Sequence, residues 1–220
     1  MANGSEVLSF LIPVSSFFLM PALLFDIGNV LVTFDFDRCA ARMAEFSQLS
    51  PQAIHAAIAP FKEPLESGRM PEEEFFRLCI EAIGFTGTHE EFCEIWSDIF
   101  TLNAPMAETL ASLPRKLPAY LFSNTNDPHK RWLLEKFEVF KYFDGGIYSH
   151  EAGVMKPKDE FYHSAIKQFG LDPAQTFYVD DLGPNIATGQ RLGFRCFQYD
   201  PQHHQPLHDA LHVWVAGLPL

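Results

Sequence analysis

The stretch Ala22-Leu23-Leu24-Phe25-Asp26-Ile27-Gly28-Asn29-Val30-Leu31 decides the fold. Four apolar residues run into Asp, Gly and Asn, the pattern of a short buried parallel strand that ends in a polar loop. Three further segments bear on the same decision: Leu121-Phe122-Ser123-Asn124-Thr125-Asn126, Met155-Lys156-Pro157 and Phe177-Tyr178-Val179-Asp180-Asp181. Strand and helix patterns alternate around them. Helices are predicted over 106–113, 128–137, 160–169 and 184–192, and strands over 119–122, 146–148, 176–179 and 195–199. Such alternation implies an α/β fold, a Rossmann-like doubly wound parallel sheet with helices on both faces. Ligands of open sheets bind at the carboxyl ends of the strands, and Asp26, Ser123 and Asp180/Asp181 all fall there.

Between about Asp37 and Phe100 no strand pattern occurs. Helices are predicted over 38–46, 51–59, 71–83 and 89–99, giving a helical insert. Ser50-Pro51 supplies a cap and a first helical residue. Pro71 followed by Glu72, Glu73 and Glu74 suits the positive end of a helix dipole.

Composition narrows the partners. The 220 residues fit one large domain, or a core with an insert, and the net charge of -12 opposes a nucleic-acid partner. The 22 Phe point to a core filled by rings. Cys39, Cys79, Cys93 and Cys196 have no paired spacing, so free thiols in a reducing cytoplasm are expected. His203, His204 and His208 read as a solvated tail rather than a metal site. The apolar run Val7–Leu19 follows Glu6, has no preceding Lys or Arg, and is too short and interrupted to span a bilayer. Residues 1–19 are therefore expected to be an N-terminal extension, with Met20 as the true start.

Each motif has two readings. Asp26 is a helix cap or turn former, or a nucleophile that forms an aspartyl-phosphate. Ser123 and Asn124 form a turn, or grip phosphate oxygens through a hydroxyl and loop N–H groups. Lys156, held out of helical geometry by Pro157, is a surface lysine or a charge neutraliser for nucleophile and phosphate. Lys158 reads as surface. Asp180 and Asp181 cap the helix that follows, or hold Mg²⁺ with a backbone carbonyl. Asn185 would support such a site by hydrogen bonding.

The four motifs, in this order and spacing, resemble those of the haloacid dehalogenase-like hydrolase superfamily, from Met20 to about Asp200. Phe-Asp-Ile-Gly-Asn-Val-Leu, Ser-Asn-Thr-Asn and Asp-Asp-x-x-x-Asn are similar to the subgroup of bacterial α-D-glucose-1-phosphate phosphatases. Glu66-Ser67-Gly68-Arg69-Met70 leading into Glu73-Glu74-Phe75 resembles the cap segment of that group. The resemblance implies a core of residues 20–36 and 101–220 and a helical cap of 37–100. It implies Asp26 as nucleophile and Mg²⁺ ligand, with the Gly28 carbonyl and Asp181 as further ligands. Asp180 would lie nearby or ligate through water. Ser123, Asn124 and Lys156 would hold the transferring phosphoryl group.

The expectation is a cytoplasmic, Mg²⁺-dependent phosphatase of a small phosphorylated metabolite, a sugar phosphate in particular. Neither nucleic acid nor membrane is an expected partner, and a monomer or homodimer are both open. Gly28 stands where most such phosphatases carry a second acid, which protonates the leaving group and later activates water. Asp35, Asp37 and Glu66 are candidates to replace it. A catalytically weak phosphate-binding or regulatory protein, and a 2-haloacid dehalogenase, are the alternatives.

Overall fold

The computed structural model describes residues 20–218. The expectations for residues 1–19 lie outside the described residues. The chain opens with strand β1 (Ala22–Phe25) and a short strand β2 (Val32–Phe34). Helices α1 (Phe36–Ala44), α2 (Pro51–Glu66), α3 (Glu72–Ile83) and α4 (His89–Ser97) follow. Strand β3 (Phe100–Leu102) returns the chain to α5 (Ala104–Ser112), β4 (Ala119–Ser123) and α6 (Asp127–Lys136). Next come β5 (Gly145–Tyr148), α7 (Ser149–Ala152) and α8 (Asp159–Phe169). The chain ends with β6 (Thr176–Asp180), α9 (Gly183–Arg191), β7 (Arg195–Gln198) and α10 (Gln205–Ala216).

Five strands form one parallel sheet in the order β5-β4-β1-β6-β7. Successive β1 residues feed opposite cores, because strand side chains alternate between faces. Leu23 and Phe25 pack with Met106, Leu110, Leu207 and Leu211, whereas Ala22 and Leu24 pack with Phe161, Tyr162 and Ile186. Helices therefore cover both faces, which is why these strands read as continuous apolar runs. The chain builds outward from β1 through β4 and β5, then crosses back to β6 and β7. β1 thus sits at the switch point of the topology, where loops splay apart and leave a crevice.

The four helices of the insert have a core of their own. Met43, Ile54, Ile58, Phe75, Phe76, Phe92 and Trp96 are buried together. The sequence predicts α2 only to Ala59, but it continues through Pro60 and Pro64 to Glu66. Each proline removes one intrahelical bond, freeing the carbonyls of Ala56 and Pro60. Ala56 and Pro60 lie on the exposed side, where water replaces the missing donor, while Ile58 and Leu65 anchor the opposite side. Both junctions of the insert pass through the antiparallel ribbon β2–β3, with Val32 paired to Leu102 and Phe34 to Phe100. This ribbon is not apparent in the sequence, because three-residue strands have too little pattern.

The reading of a solvated C-terminal tail holds for His203, which is exposed, but is corrected for His204 and His208. His204 Nε2 and His208 Nδ1 meet Thr109 Oγ1 at 2.8 and 2.9 Å, and α10 buries Leu207 and Leu211 against the sheet. Leu207, Leu211 and Trp214 recur at helical spacing, a signal available in the sequence. Among the described residues no helix is long and apolar enough to cross a membrane.

Candidate active site

Asp26 follows β1 directly, and its N–H donates to the Val179 carbonyl at 2.9 Å. The turn behind it closes tightly, since the N–H groups of Val30, Leu31 and Val32 all converge on the Ile27 carbonyl. Asn29 takes the left-handed conformation, φ 53°, that this turn requires, an uncommon one in which Asn is enriched. That geometry aims its Nδ2 at Asp181 Oδ2, 2.9 Å away.

Lys156 joins the separate segments. Its ammonium donates to Asp26 Oδ1 (2.8 Å), Asp180 Oδ2 (2.6 Å) and the Phe122 carbonyl (2.7 Å), using all three protons. The side chain is only 1% exposed. Burial by itself would lower its pKa, but Asp180 and Asp26 together outweigh burial and raise it. The Lys156 main chain is fixed by Asn124, whose Oδ1 accepts from the Lys156 N–H (2.8 Å) and whose Nδ2 donates to the Lys156 carbonyl (3.0 Å). Ser123, at the end of β4, is buried, and its hydroxyl reaches only the Asn124 carbonyl, at a long 3.5 Å. It is therefore free to turn to an incoming oxygen.

The three carboxylates differ. Asp180 is saturated: Oδ2 also accepts from Tyr178 OH (2.6 Å), and Oδ1 from the Leu182 N–H (2.9 Å) and Asn185 Nδ2 (2.8 Å). Burial opposes its ionisation, but Lys156 and these donors hold its pKa below the ordinary carboxylate value. Asp26 is pushed up to about 7, first by burial and further by the Asp180 charge, with Lys156 pulling the other way. Asp181 is half-buried and raised by burial, with Asn29 as its side-chain donor. One oxygen from each of Asp26, Asp180 and Asp181 lies within 4.8 Å of the others. Asp26 and Asp181, whose carboxylates are not saturated, are hard oxygen donors that fit a small divalent cation such as Mg²⁺, with the saturated Asp180 beside them.

A cavity of about 90 Å³ opens beside this centre, between sheet and insert. Gly28, Ser123, Asn124 and Thr125 line its floor, and Phe34, Phe36 and Glu66 its other side. A groove of about 660 Å³ between β7 and α10 is larger but contains none of the residues of this centre. Lys158 is exposed at the start of α8. Asp35 caps α1 through the Arg38 N–H, and Asp37, 96% exposed, pairs with His55. Neither aspartate lines the cavity.

Two contributors carried no signal in the sequence. Ser149 Oγ accepts from the Thr125 N–H (3.0 Å) and donates to the Glu66 carbonyl (2.5 Å), tying α2 to the loop after β4. His129 is buried between Asn126 and the Trp96 carbonyl, joining α6 to α4. Burial lowers its pKa to about 4, so it is neutral at physiological pH.

Phe34 occupies the space in front of Gly28. A Cβ placed on Gly28 would meet Phe34 Cε1 at 3.0 Å. Phe34 is 41% exposed, so its ring has room to swing away. Gly28→Asp is therefore expected to cost about 1 kcal/mol through overpacking. Adding Phe34→Ala should cancel most of that cost, a coupling that denaturant melts of the two single variants and the double variant would measure.

A family model for haloacid dehalogenase-like hydrolases matches residues 20–193. A D-ribitol-5-phosphate phosphatase of Bacteroides thetaiotaomicron is 27% identical over 186 residues, covering 80% of this chain and 90% of the relative. A sesquiterpene phosphatase of Aspergillus oryzae, AstK, is 27% identical over 178 residues, covering 78% and 86%. Among solved structures, an alanine variant of a HAD family enzyme from B. thetaiotaomicron, in complex with magnesium and inorganic phosphate, superposes with a TM-score of 0.72 at 25% identity. That match covers 84% of this chain and 96% of the other. With the parallel sheet, the inserted helices and the four motifs in place, the chain belongs to the haloacid dehalogenase-like hydrolases.

Proposed function

We propose that this protein is a Mg²⁺-dependent phosphatase that hydrolyses a small phosphorylated metabolite, a sugar or polyol phosphate, through an aspartyl-phosphate. The observation that carries this reading is the Lys156 ammonium, shared between Asp26 and Asp180 beside the uncommitted Ser123 hydroxyl. The names of the two curated relatives support phosphatase chemistry, and the magnesium–phosphate complex of the structural neighbour supports the metal.

In this reading the phosphoryl group enters above Asp26. The Ser123 hydroxyl and the N–H groups of the loop after β4 take its peripheral oxygens. Lys156 balances their charge from a position fixed before substrate arrives, so little reorganisation accompanies reaction. Asp26 attacks phosphorus, the leaving oxygen departs, and water then cleaves the aspartyl-phosphate. Asp26, Asp181 and the Gly28 carbonyl would hold Mg²⁺, which when bound neutralises charge on the transferred group. Helices α1–α4 act as a cap over the site, and Phe34 at the end of β2 and Phe36 at the start of α1 border the space for the leaving group.

The two relatives act on a polyol phosphate and on a sesquiterpene phosphate by name, so the family alone does not fix the leaving group. The cavity is small, which favours a compact polar substrate over a terpenoid one. The test is phosphate release from a panel of sugar, polyol and prenyl phosphates, with Mg²⁺ and with EDTA. Mg²⁺-dependent release from sugar or polyol phosphates is the expected result. Release that survives EDTA, or release from prenyl phosphates alone, would contradict the reading.

A further inference from the structure

We propose that Glu66 is the catalytic acid and base of this enzyme, supplying from the cap the proton transfer that Gly28 cannot make. The proposal rests on the phosphatase reading above. Glu66 is the one carboxylate among the described residues that lines the cavity shared with Gly28, Ser123 and Asn124. The nearer candidates in sequence are committed elsewhere, Asp35 to a helix cap and Asp37 to His55.

Its placement is fixed by the backbone. The Glu66 carbonyl accepts from Ser149 Oγ, which also accepts from the Thr125 N–H, two residues after Ser123. Gly68 brings the same turn against the core. It has φ +70°, and a Cβ there would lie 2.1 Å from the His150 carbonyl oxygen, so no other residue permits this approach. Residues 66–68 are therefore docked on Ser149 and His150 at the start of α7, and Ser149 in turn holds the loop after β4.

The chemistry of the group matches the role. Its carboxyl has no hydrogen-bond or ion-pair partner among the described residues. Burial raises its pKa to about 7, Lys62 one turn earlier on α2 lowers it, and Glu63 raises it. From the core side the other titratable group lining the cavity is His129, which stays neutral. A carboxyl removed from bulk water that titrates near neutrality can both give and take a proton at working pH. In-line attack by Asp26 places the leaving oxygen on the side of phosphorus away from Asp26, toward the cap.

As the Asp26–phosphorus bond forms and the phosphorus–leaving-oxygen bond breaks, the Glu66 proton passes to the leaving oxygen. The Glu66 carboxylate then takes a proton from water as the water oxygen bonds to phosphorus and the bond to Asp26 breaks. Phosphate leaves, and Glu66 is protonated again.

The test is rapid-quench kinetics of the Mg²⁺-loaded wild type and Glu66→Gln, with p-nitrophenyl phosphate and with the best sugar or polyol phosphate found. Nitrophenolate needs no acid to leave. Glu66→Gln should therefore keep the wild-type burst of nitrophenolate, one equivalent per enzyme, and then turn over slowly as phosphoenzyme accumulates. With the sugar or polyol phosphate the burst itself should slow by roughly 10²–10⁴-fold. Glu66→Asp should restore part of the rate with both substrates. A Glu66→Gln enzyme that matches wild type on both substrates, or that changes only KM, overturns the proposal and leaves the phosphatase reading standing. A wild type that releases no nitrophenolate or phosphate overturns both. A Glu66→Gln protein that does not fold, beside a folded Glu66→Asp that is no slower than wild type, also overturns it, since the side chain would then act only in packing.

Discussion

Lys156→Met loses about 3–5 kcal/mol of folding stability and all measurable turnover. The size follows from what the ammonium leaves behind. Breaking a buried pair by removing one partner costs about this much, because the remaining charge has no solvent to replace it. Here one lysine serves two carboxylates, Asp26 and Asp180, and both are buried. Asp180 keeps Tyr178, Leu182 and Asn185, so most of the loss falls on Asp26.

The pH dependence identifies the cause. A carboxyl raised in the folded protein contributes stability below its ordinary pKa and loses it as pH rises through the folded value. Asp26 is already raised from 3.8 to about 7 in the wild type, mainly by burial. Lys156 is the largest influence pulling both Asp26 and Asp180 down. Its removal moves both upward: Asp180, no longer held below its ordinary value, adds loss from about pH 4, and Asp26 adds its share only above about pH 7, where the wild-type carboxyl already ionises. The difference between the two proteins should be small at pH 4 and largest at pH 8. Urea melts across that range, without divalent metal, would show it. A constant difference at all pH values would mean that lost packing around Phe122 is the cause.

Asp26→Asn is expected to remove turnover by roughly 10⁴-fold or more, the scale on which loss of a nucleophile is felt. The amide cannot form the phosphoryl ester, yet it matches the carboxylate in size and still accepts from Lys156. The fold should therefore survive, and with it phosphate binding at Ser123 and Lys156. Competition by inorganic phosphate in a thermal-shift series would establish that the site is intact. An Asp26→Asn protein that binds phosphate and turns over within tenfold of wild type would mean another group attacks phosphorus.

Much of this architecture was legible because local pattern and tertiary role agree. β1, β4 and β6 are apolar runs buried on both faces, and each delivers a polar residue at its carboxyl end. The helix ends at Gly170 and at Gly193 carry the positive φ that only glycine takes freely. Failures fall where long-range packing overrides the local signal. α2 passes Pro60 and Pro64 because Ile58 and Leu65 are anchored in the core of the insert. The ribbon β2–β3 exists only because two distant segments meet. The same holds for the site. Asp26, Ser123, Asn124 and Asp180 were recognisable from strand ends and Lys156 from the proline that follows it, and the structure brings them into one network. Ser149 and His129 were not recognisable, because their work is to join elements distant in sequence.

In the proposed reaction Asp26 carries the phosphoryl group. The direct measurement is acid quench during turnover with Mg²⁺, borohydride reduction and peptide mapping, which converts an aspartyl-phosphate to homoserine. Homoserine is expected at position 26 in the wild type with substrate, and none without substrate. Homoserine at another position, or steady turnover with position 26 unmodified at every quench time, would contradict it.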